Sequence, residues 1–410
     1  MMDFDPTSIL VGESGQLARY DAFNRLYTAQ PFTLIDYQGK YGLDANVLDT
    51  STATGGTVTA ATGSSSIRVA VTGTSGSLSR LLTKEFYRYQ TGRGQEITIS
   101  MYMDDTGQTN QRRRWGTGTP DATNPEGLGW ELDGTTLNVV RYPNVSGLSN
   151  EIIPRSGWLD ALDGTGPSGL TLDLTKGNIY QISYQWLGVG VVEYRINDIL
   201  IYRMVNPGLY VGPYMRSAVH PVTFEVQNTG TSTTSGMNVI CINVTSQGGE
   251  ETPGYSYAID NGAGLSVGGT LTPIIAIRPK TTFNSVTNRI DVIPRILELS
   301  HSASVLRWQA LSHGTLSVTG GSWVSAGTNS SVEYNISATG YTGGELVTGG
   351  TLPSTDRLRL NMEEEKHFGR LTRQLKQPLY AVNQQFVIIG AKDIGGTTTA
   401  QTALTWGEIK

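Results

Sequence analysis

The chain has 410 residues, with 30 basic and 35 acidic side chains, a net charge of −5, 16 % charged residues and 50 glycines. Charge lies well below the ~25 % and glycine well above the ~7 % of an ordinary domain, yet a hydrophobic share of 38 % still suffices for one or two cores. No apolar run reaches the ~18 residues of a membrane helix, the lone Cys241 excludes a disulfide or Cys-zinc scaffold, and a mildly acidic chain excludes a generic nucleic-acid binder.

Met1 to Pro6 carry acids and no basic n-region, so no Sec-type signal peptide is expected. Ser14 to Tyr27 is the first of two helix-like stretches, with Leu17, Tyr20, Phe23 and Tyr27 at helical spacing and Ser14 available as an N-cap. Residues 1–45 are expected to form an N-terminal arm. Its side chains Arg19, Tyr20, Phe23, Arg25, Leu26 and Tyr27 form an apolar and basic stretch that would be a liability if left free, so an assembly contact with another molecule is expected there.

Residues 46–248 read as period-two strands punctuated by turns. Ser51–Ser66 is Thr- and Gly-rich and reads as an exposed strand and loop. Glu96–Met103 reads as a strand, and Asp104-Asp-Thr-Gly107 after it reads as a plain turn rather than a calcium loop, because the alternating acids are missing. Arg112-Arg-Arg-Trp115 could offer cation–π and phosphate contacts. Alternate arginines of a strand point to opposite faces, so salt bridging or an oligomer contact is the expected role. Leu128–Leu132 and Leu137–Tyr142 flank Asp133-Gly134-Thr135 as a hairpin. A second hairpin turns at Asn197-Asp198, after Tyr180–Trp186, where Tyr180, Ile182, Tyr184 and Trp186 share one face and read as core. Pro221–Gln227 and Met237–Ser246 complete a β-sandwich, a jelly roll of lectin-like topology.

The polar run Ser246–Gly254 reads as a linker, and residues 249–410 as a second β-sandwich containing strands Leu271–Arg278 and Phe386–Ile389. Gly264-Leu-Ser266-Val-Gly268 matches the nucleophile-elbow pattern, with His301, His313 and His367 downstream. A turn and a strand follow it instead of a helix, so the match is expected to be fortuitous. Ser354–Lys376 reads as a solvated helix or loop. Within it Glu363 and His367 stand at i, i+4, but no further ligand completes a metal site. Asn144, Asn243, Asn329 and Asn335 lie in N-x-S/T triplets that a Ser- and Thr-rich chain produces by chance. With no paired-carboxylate site, P-loop or dinucleotide fingerprint, the expectation is no catalytic residue, no cofactor, no metal and no enzymatic activity.

Several segments are similar to a family of structural proteins from the virions of aquatic tailed phages, labelled head fibre, capsid-associated or tail protein. They are Arg19–Tyr27, Gln30–Leu34, Tyr87–Gly94, Arg114–Gly116, Gly129–Gly134, Leu159–Lys176, Gln185–Gly190, Pro213–Met215, Pro221–Glu225 and Ser246–Glu250. The resemblance covers residues 19–251 and extends to the C-terminal part only in style. It departs at Asn24, where the family motif has Gly; Asn tolerates positive φ, so a turn there survives. The resemblance implies a virion component, either a capsid decoration or head fibre, or part of the tail or baseplate. Together with the low charge, it leads to the expectation of a homo-oligomer, a homotrimer, touching itself and other virion proteins, with no nucleic-acid or membrane partner. The alternative is an adhesin or tail-fibre module recognising a host glycan.

Overall fold

A computed structural model describes residues 31–45, 47–119, 125–248, 254–302, 305–312, 316–354, 356–362, 386–392 and 396–409. Alternation of apolar and polar residues turns almost all of them into strands, and the chain divides into two compact units, residues 1–250 and 251–410. The fold is all-β, and each unit is a β-sandwich.

The first half of the first unit holds β1 (Phe32–Gln38), β2 (Leu48–Ala53), β3 (Thr57–Ala61), β4 (Ser66–Val71), β5 (Leu78–Thr83), β6 (Tyr87–Arg88), β7 (Gln95–Met103) and β8 (Gln111–Thr119). It continues with β9 (Glu126–Asp133), β10 (Thr136–Tyr142), β11 (Glu151–Pro154), β12 (Asn178–Tyr184), β13 (Val191–Ile196), β14 (Ile199–Val205), β15 (Val219–His220), β16 (Val222–Asn228) and β17 (Ser235–Ser246). Among the described residues, one antiparallel sheet runs β14-β13-β12-β7-β17-β4-β3, with β1 also on β17, and the other runs β11-β10-β9-β8-β16-β5-β2. The chain passes repeatedly from one sheet to the other, for instance between β4 and β5, β7 and β8, β11 and β12, and β16 and β17, as in a jelly roll.

The inner faces meet in an aromatic core. Trp115 and Trp130, paired across β8 and β9, stack at 6.1 Å, and Tyr180 sits edge-on to both at 5.2 Å. Such pairs add about 0.5–1.5 kcal/mol each to simple burial. Tyr180, Ile182 and Tyr184 are core, as their parity predicts. Trp186 lies past the end of β12, half-buried, with its indole N–H donated to the Met215 carbonyl at 2.9 Å. Both hairpins form. Asn197 and Asp198 adopt φ of +51° and +69°, the conformation a two-residue loop of matching twist demands. Within the expected Asp133-Gly134-Thr135 turn, Asp133 pairs with Thr136, so the loop itself is Gly134-Thr135, with Gly134 at φ +59°.

The loop over residues 159–176 is fastened by its aspartates. Asp163 and Asp173 accept the amide and hydroxyl of Thr165 and Thr175, and Asp160 accepts the amides of Leu162 and Ser168.

Two expectations need correction. The arm does not extend to residue 45: β1 pairs with β17 and buries Leu34, Ile35 and Tyr37 in the core, because its own alternation gives it an apolar face. The assembly-contact residues Arg19, Tyr20, Phe23, Arg25, Leu26 and Tyr27 lie outside the described residues. Likewise, the described part of Ser354–Lys376 contains a strand, Arg357–Asn361, rather than a helix or loop, since Leu358 and Leu360 share a face toward the second core.

The second unit holds β18 (Tyr255–Asp260), β19 (Leu265–Val267), β20 (Thr272–Pro279), β21 (Thr282–Phe283), β22 (Val286–Thr287), β23 (Asp291–His301), β24 (Leu306–Ser312) and β25 (Ser317–Thr319). After them come β26 (Val324–Ser325), β27 (Val332–Asn335), β28 (Gly340–Thr342), β29 (Glu345–Leu352), β30 (Arg357–Asn361), β31 (Phe386–Lys392) and β32 (Thr398–Ile409). One sheet runs β18-β32-β23-β30, with β19 also on β32, and faces a second running β26-β27-β20-β31-β24-β29. Leu297, Leu299, Leu404 and Trp406 from the first meet Ile275, Ile277, Trp308 and Phe386 from the second. Glu408 is fully buried on the same side of β32 as Trp406. Its carboxylate accepts the Ser331 amide and hydroxyl, both at 2.8 Å, and the Trp406 indole N–H at 3.1 Å.

Candidate functional site

The arginine run of β8 shows how alternation distributes charge. Trp115 and Arg113 point inward, so Arg112 and Arg114 lie on the outer face of the seven-stranded sheet. Register places Glu131 of β9 and Glu225 of β16 directly beside Arg114, and Arg80 of β5 beside Glu225. The result is a row of alternating charge across the sheet. Arg80 Nε lies 2.6 Å from Glu225, while Arg114 Nε lies 3.6 Å from Glu225 and 3.2 Å from Glu131. Tyr142 of β10 closes the row, donating its hydroxyl to Glu131 at 2.7 Å beneath the Arg114 guanidinium, which lies 5.3 Å from the ring. Burial first, and then the Glu131 charge, push the Tyr142 phenol far above its usual pKa, so it stays a donor.

Beside this row the floor has no side chains. Gly118 and Gly127 face each other with φ of +141° and +144°, and a Cβ on either would fall within 2.0 Å of the other strand's carbonyl oxygen. The slot above them, lined by Arg114, Glu126, Tyr142, Thr223 and Glu225, has a volume of about 40 Å³. That admits water but falls far short of the ~300 Å³ at which ligand pockets begin. Glu131 and Glu225 sit two strands apart, roughly 10 Å at ordinary strand spacing, with Arg114 between them. Each carboxylate is committed to guanidinium, and neither stands in a pair with the other. The arginine run is therefore salt-bridged, as expected.

Arg113 pairs inward, its Nη2 lying 2.7 Å from Asp105. Asp105 also accepts the Gly107 amide at 2.8 Å and the Ser235 hydroxyl. Partial burial pushes the Asp105 carboxyl up, but Ser235, Arg113 and Gly107 together outweigh it and hold it below the usual value. Asp104 takes Arg68 at 2.6 Å and Asn238 at 2.8 Å. The Asp104–Gly107 turn is thus a clip between β4, β8 and β17. Among the described residues no group of three or more His, Cys, Asp or Glu could hold a metal.

Ser266 is exposed in the middle of β19, opposite Thr399, in extended backbone without the sharp turn of a nucleophile elbow. His301 is engaged by the Pro353 carbonyl at 2.7 Å. Glu363, His367 and His313 lie outside the described residues. Asn335 is buried, its amide donated to the Gly320 carbonyl, so that triplet is closed to modification.

One cluster escapes a reading of charge runs. Arg141 is buried on the inward parity of Leu137 and Val139. It donates to Asn206 at 2.8 Å, pairs with Glu151, and stands 4.9 and 5.2 Å from the Tyr210 and Tyr214 rings. A cation at a core position of an alternating strand was the available signal.

No protein-family model matches this chain, and no curated protein matches it. Similar solved structures include a point mutant of the Emp46p carbohydrate recognition domain, at 10 % identity and TM-score 0.35, over 53 % of this chain and 97 % of that one. An endo-1,3-beta-glucanase from Streptomyces sioyaensis is similar at 10 % identity and TM-score 0.38, over 53 % and 97 %. A putative beta-glucanase from Mycobacterium abscessus is similar at 10 % identity and TM-score 0.37, over 52 % and 100 %. These are carbohydrate-recognition and glycoside-hydrolase sandwiches.

Proposed function

We propose that the protein is a non-catalytic structural component of a tailed-phage virion, a homo-oligomeric sandwich protein that decorates the capsid or forms part of the tail. The observation that carries the structural reading is how the polar and aromatic side chains of the first unit are used. Among the described residues Trp115, Trp130, Trp158 and most tyrosines of this unit are core, and the carboxylates of Glu131 and Glu225 on its seven-stranded sheet are held by arginines. An adhesin exposes aromatic side chains in a cluster. Among the described residues the large exposed aromatics are Tyr41 in the first unit and Tyr255 in the second, one in each. Support for the virion setting comes from the resemblance over residues 19–251. Few charges and many strands suit burial against sister copies, for which a trimer is proposed.

The test is a reconstruction of the virus that encodes the chain, with mass spectrometry of the purified particles. The expected result is density for both sandwiches, with each copy touching sister chains. Particles without the chain, or isolated copies together with a monomer in sedimentation, overturn the reading. Tight binding of a host glycan by the first unit would favour the adhesin.

A further inference from the structure

The second unit has a groove with a different character. It lies on the outer face of the sheet β18-β32-β23-β30 and encloses about 520 Å³, within the range of ligand sites. Register builds it in two rows. Asp260, Ala403, Glu298 and Arg359 stand directly side by side across four strands, a span of roughly 14 Å at ordinary strand spacing. Gln401, Ser300 and Arg357 form the parallel row. Ala403 and Ser300 leave part of the middle low, Arg357 and Arg359 stand at the β30 end with Glu298 beside them on β23, and Asp260 and Gln401 stand toward β18.

We propose that this groove binds a short anionic oligosaccharide, with a sugar carboxylate on the β30 side and hydroxyls toward β18. Three features carry the assignment. No aromatic residue lines the groove, and its two leucines, Leu299 and Leu358, turn their side chains to the core on the opposite face, so the exposed face is polar, which suits a hydroxyl-rich ligand and not an apolar peptide. The basic wall is available: Arg357 makes no ion pair among the described residues, and Arg359 meets Glu298 only at 3.4 Å with 72 % and 55 % of the two side chains exposed. Exposed pairs of this kind are weak and yield readily to a ligand carboxylate, which a guanidinium grips through two parallel hydrogen bonds. The opposite wall accepts: Asp260 spends one oxygen on the Gly262 amide at 2.7 Å, and Gln401 is exposed.

This goes beyond the virion reading and does not depend on it, since binding is measured on the purified full chain. Calorimetric titration with trigalacturonate, against maltotriose as the neutral control, tests it. The expected result is binding of trigalacturonate at low salt, weakened by added salt and at least about tenfold by Arg357→Ala, and partly restored by Arg357→Lys. Maltotriose should bind at least about tenfold more weakly. Unchanged tryptophan emission and circular dichroism would show that the exposed substitutions leave the fold intact. Equal binding of the two sugars, an unaffected Arg357→Ala variant, or no binding of trigalacturonate at about 10 mM overturns the proposal.

Discussion

The outer faces of two sheets, one in each unit, carry nearly the same ingredients and have opposite characters. On the seven-stranded sheet of the first unit, Arg80, Glu225, Arg114 and Glu131 alternate across neighbouring strands. On the β18-β32-β23-β30 sheet of the second, Asp260, Glu298 and Arg359 share one row, with Ala403 between the two acids. The first row is buried, with Glu225 2 % exposed, and encloses about 40 Å³; the second is open and encloses about 520 Å³. Charge pattern alone does not make a site. Burial commits each carboxylate to its arginine, because an unpaired charge there is expensive, whereas exposure leaves the same groups free to exchange partners.

Removing one member of each row separates the two regimes most widely. Glu225→Ala leaves the Arg80 and Arg114 guanidiniums without their shared carboxylate and should cost about 3 kcal/mol, read as a lower urea midpoint of the first unit. A loss below about 0.5 kcal/mol would show that the buried row is no more committed than an exposed one.

A graded effect should follow from the tyrosines that pack the first unit. Burial pushes the phenols of Tyr87, Tyr180, Tyr184, Tyr194 and Tyr214 well above their usual value. A phenol whose pKa rises on folding contributes stability that is whole below the unfolded value of about 10 and is lost as pH climbs above it. Urea midpoints followed by emission of the stacked Trp115–Trp130 pair should therefore hold to about pH 9 and fall beyond about pH 10. A flat profile to about pH 11 would mean that these hydroxyls reach water.

The smallest effect belongs to the open groove. Arg359→Ala should change the stability of the second unit by no more than about 0.5 kcal/mol. A loss comparable to that of Glu225→Ala would show that the second face is also structural, and would erase the contrast.

Much of the architecture is determined locally. Period-two alternation specifies β12, β13 and β16 and the core side of each, and Asn197-Asp198 specifies its hairpin because these residues tolerate positive φ. Alternation also separates Arg113 from Arg112 and Arg114 before any partner is known. The polar, Gly-rich run Ser246–Gly254 reads as a linker, and the two compact units divide within it.

Tertiary structure alone decides the rest, because strand partners are distant in sequence. That β1 belongs to the sandwich depends on β17, some two hundred residues away, and β30 is a strand because β23 offers it a ladder. Glu225 meets Arg80 and Arg114 across sequence separations that no spacing rule spans. The same holds for the groove of the second unit. Asp260, Glu298, Arg359 and Ala403 are unremarkable where they stand in the chain, and only the register of four strands sets them in one row. Local sequence dictates which way a side chain points from its strand; the non-local pairing of strands dictates what it finds there.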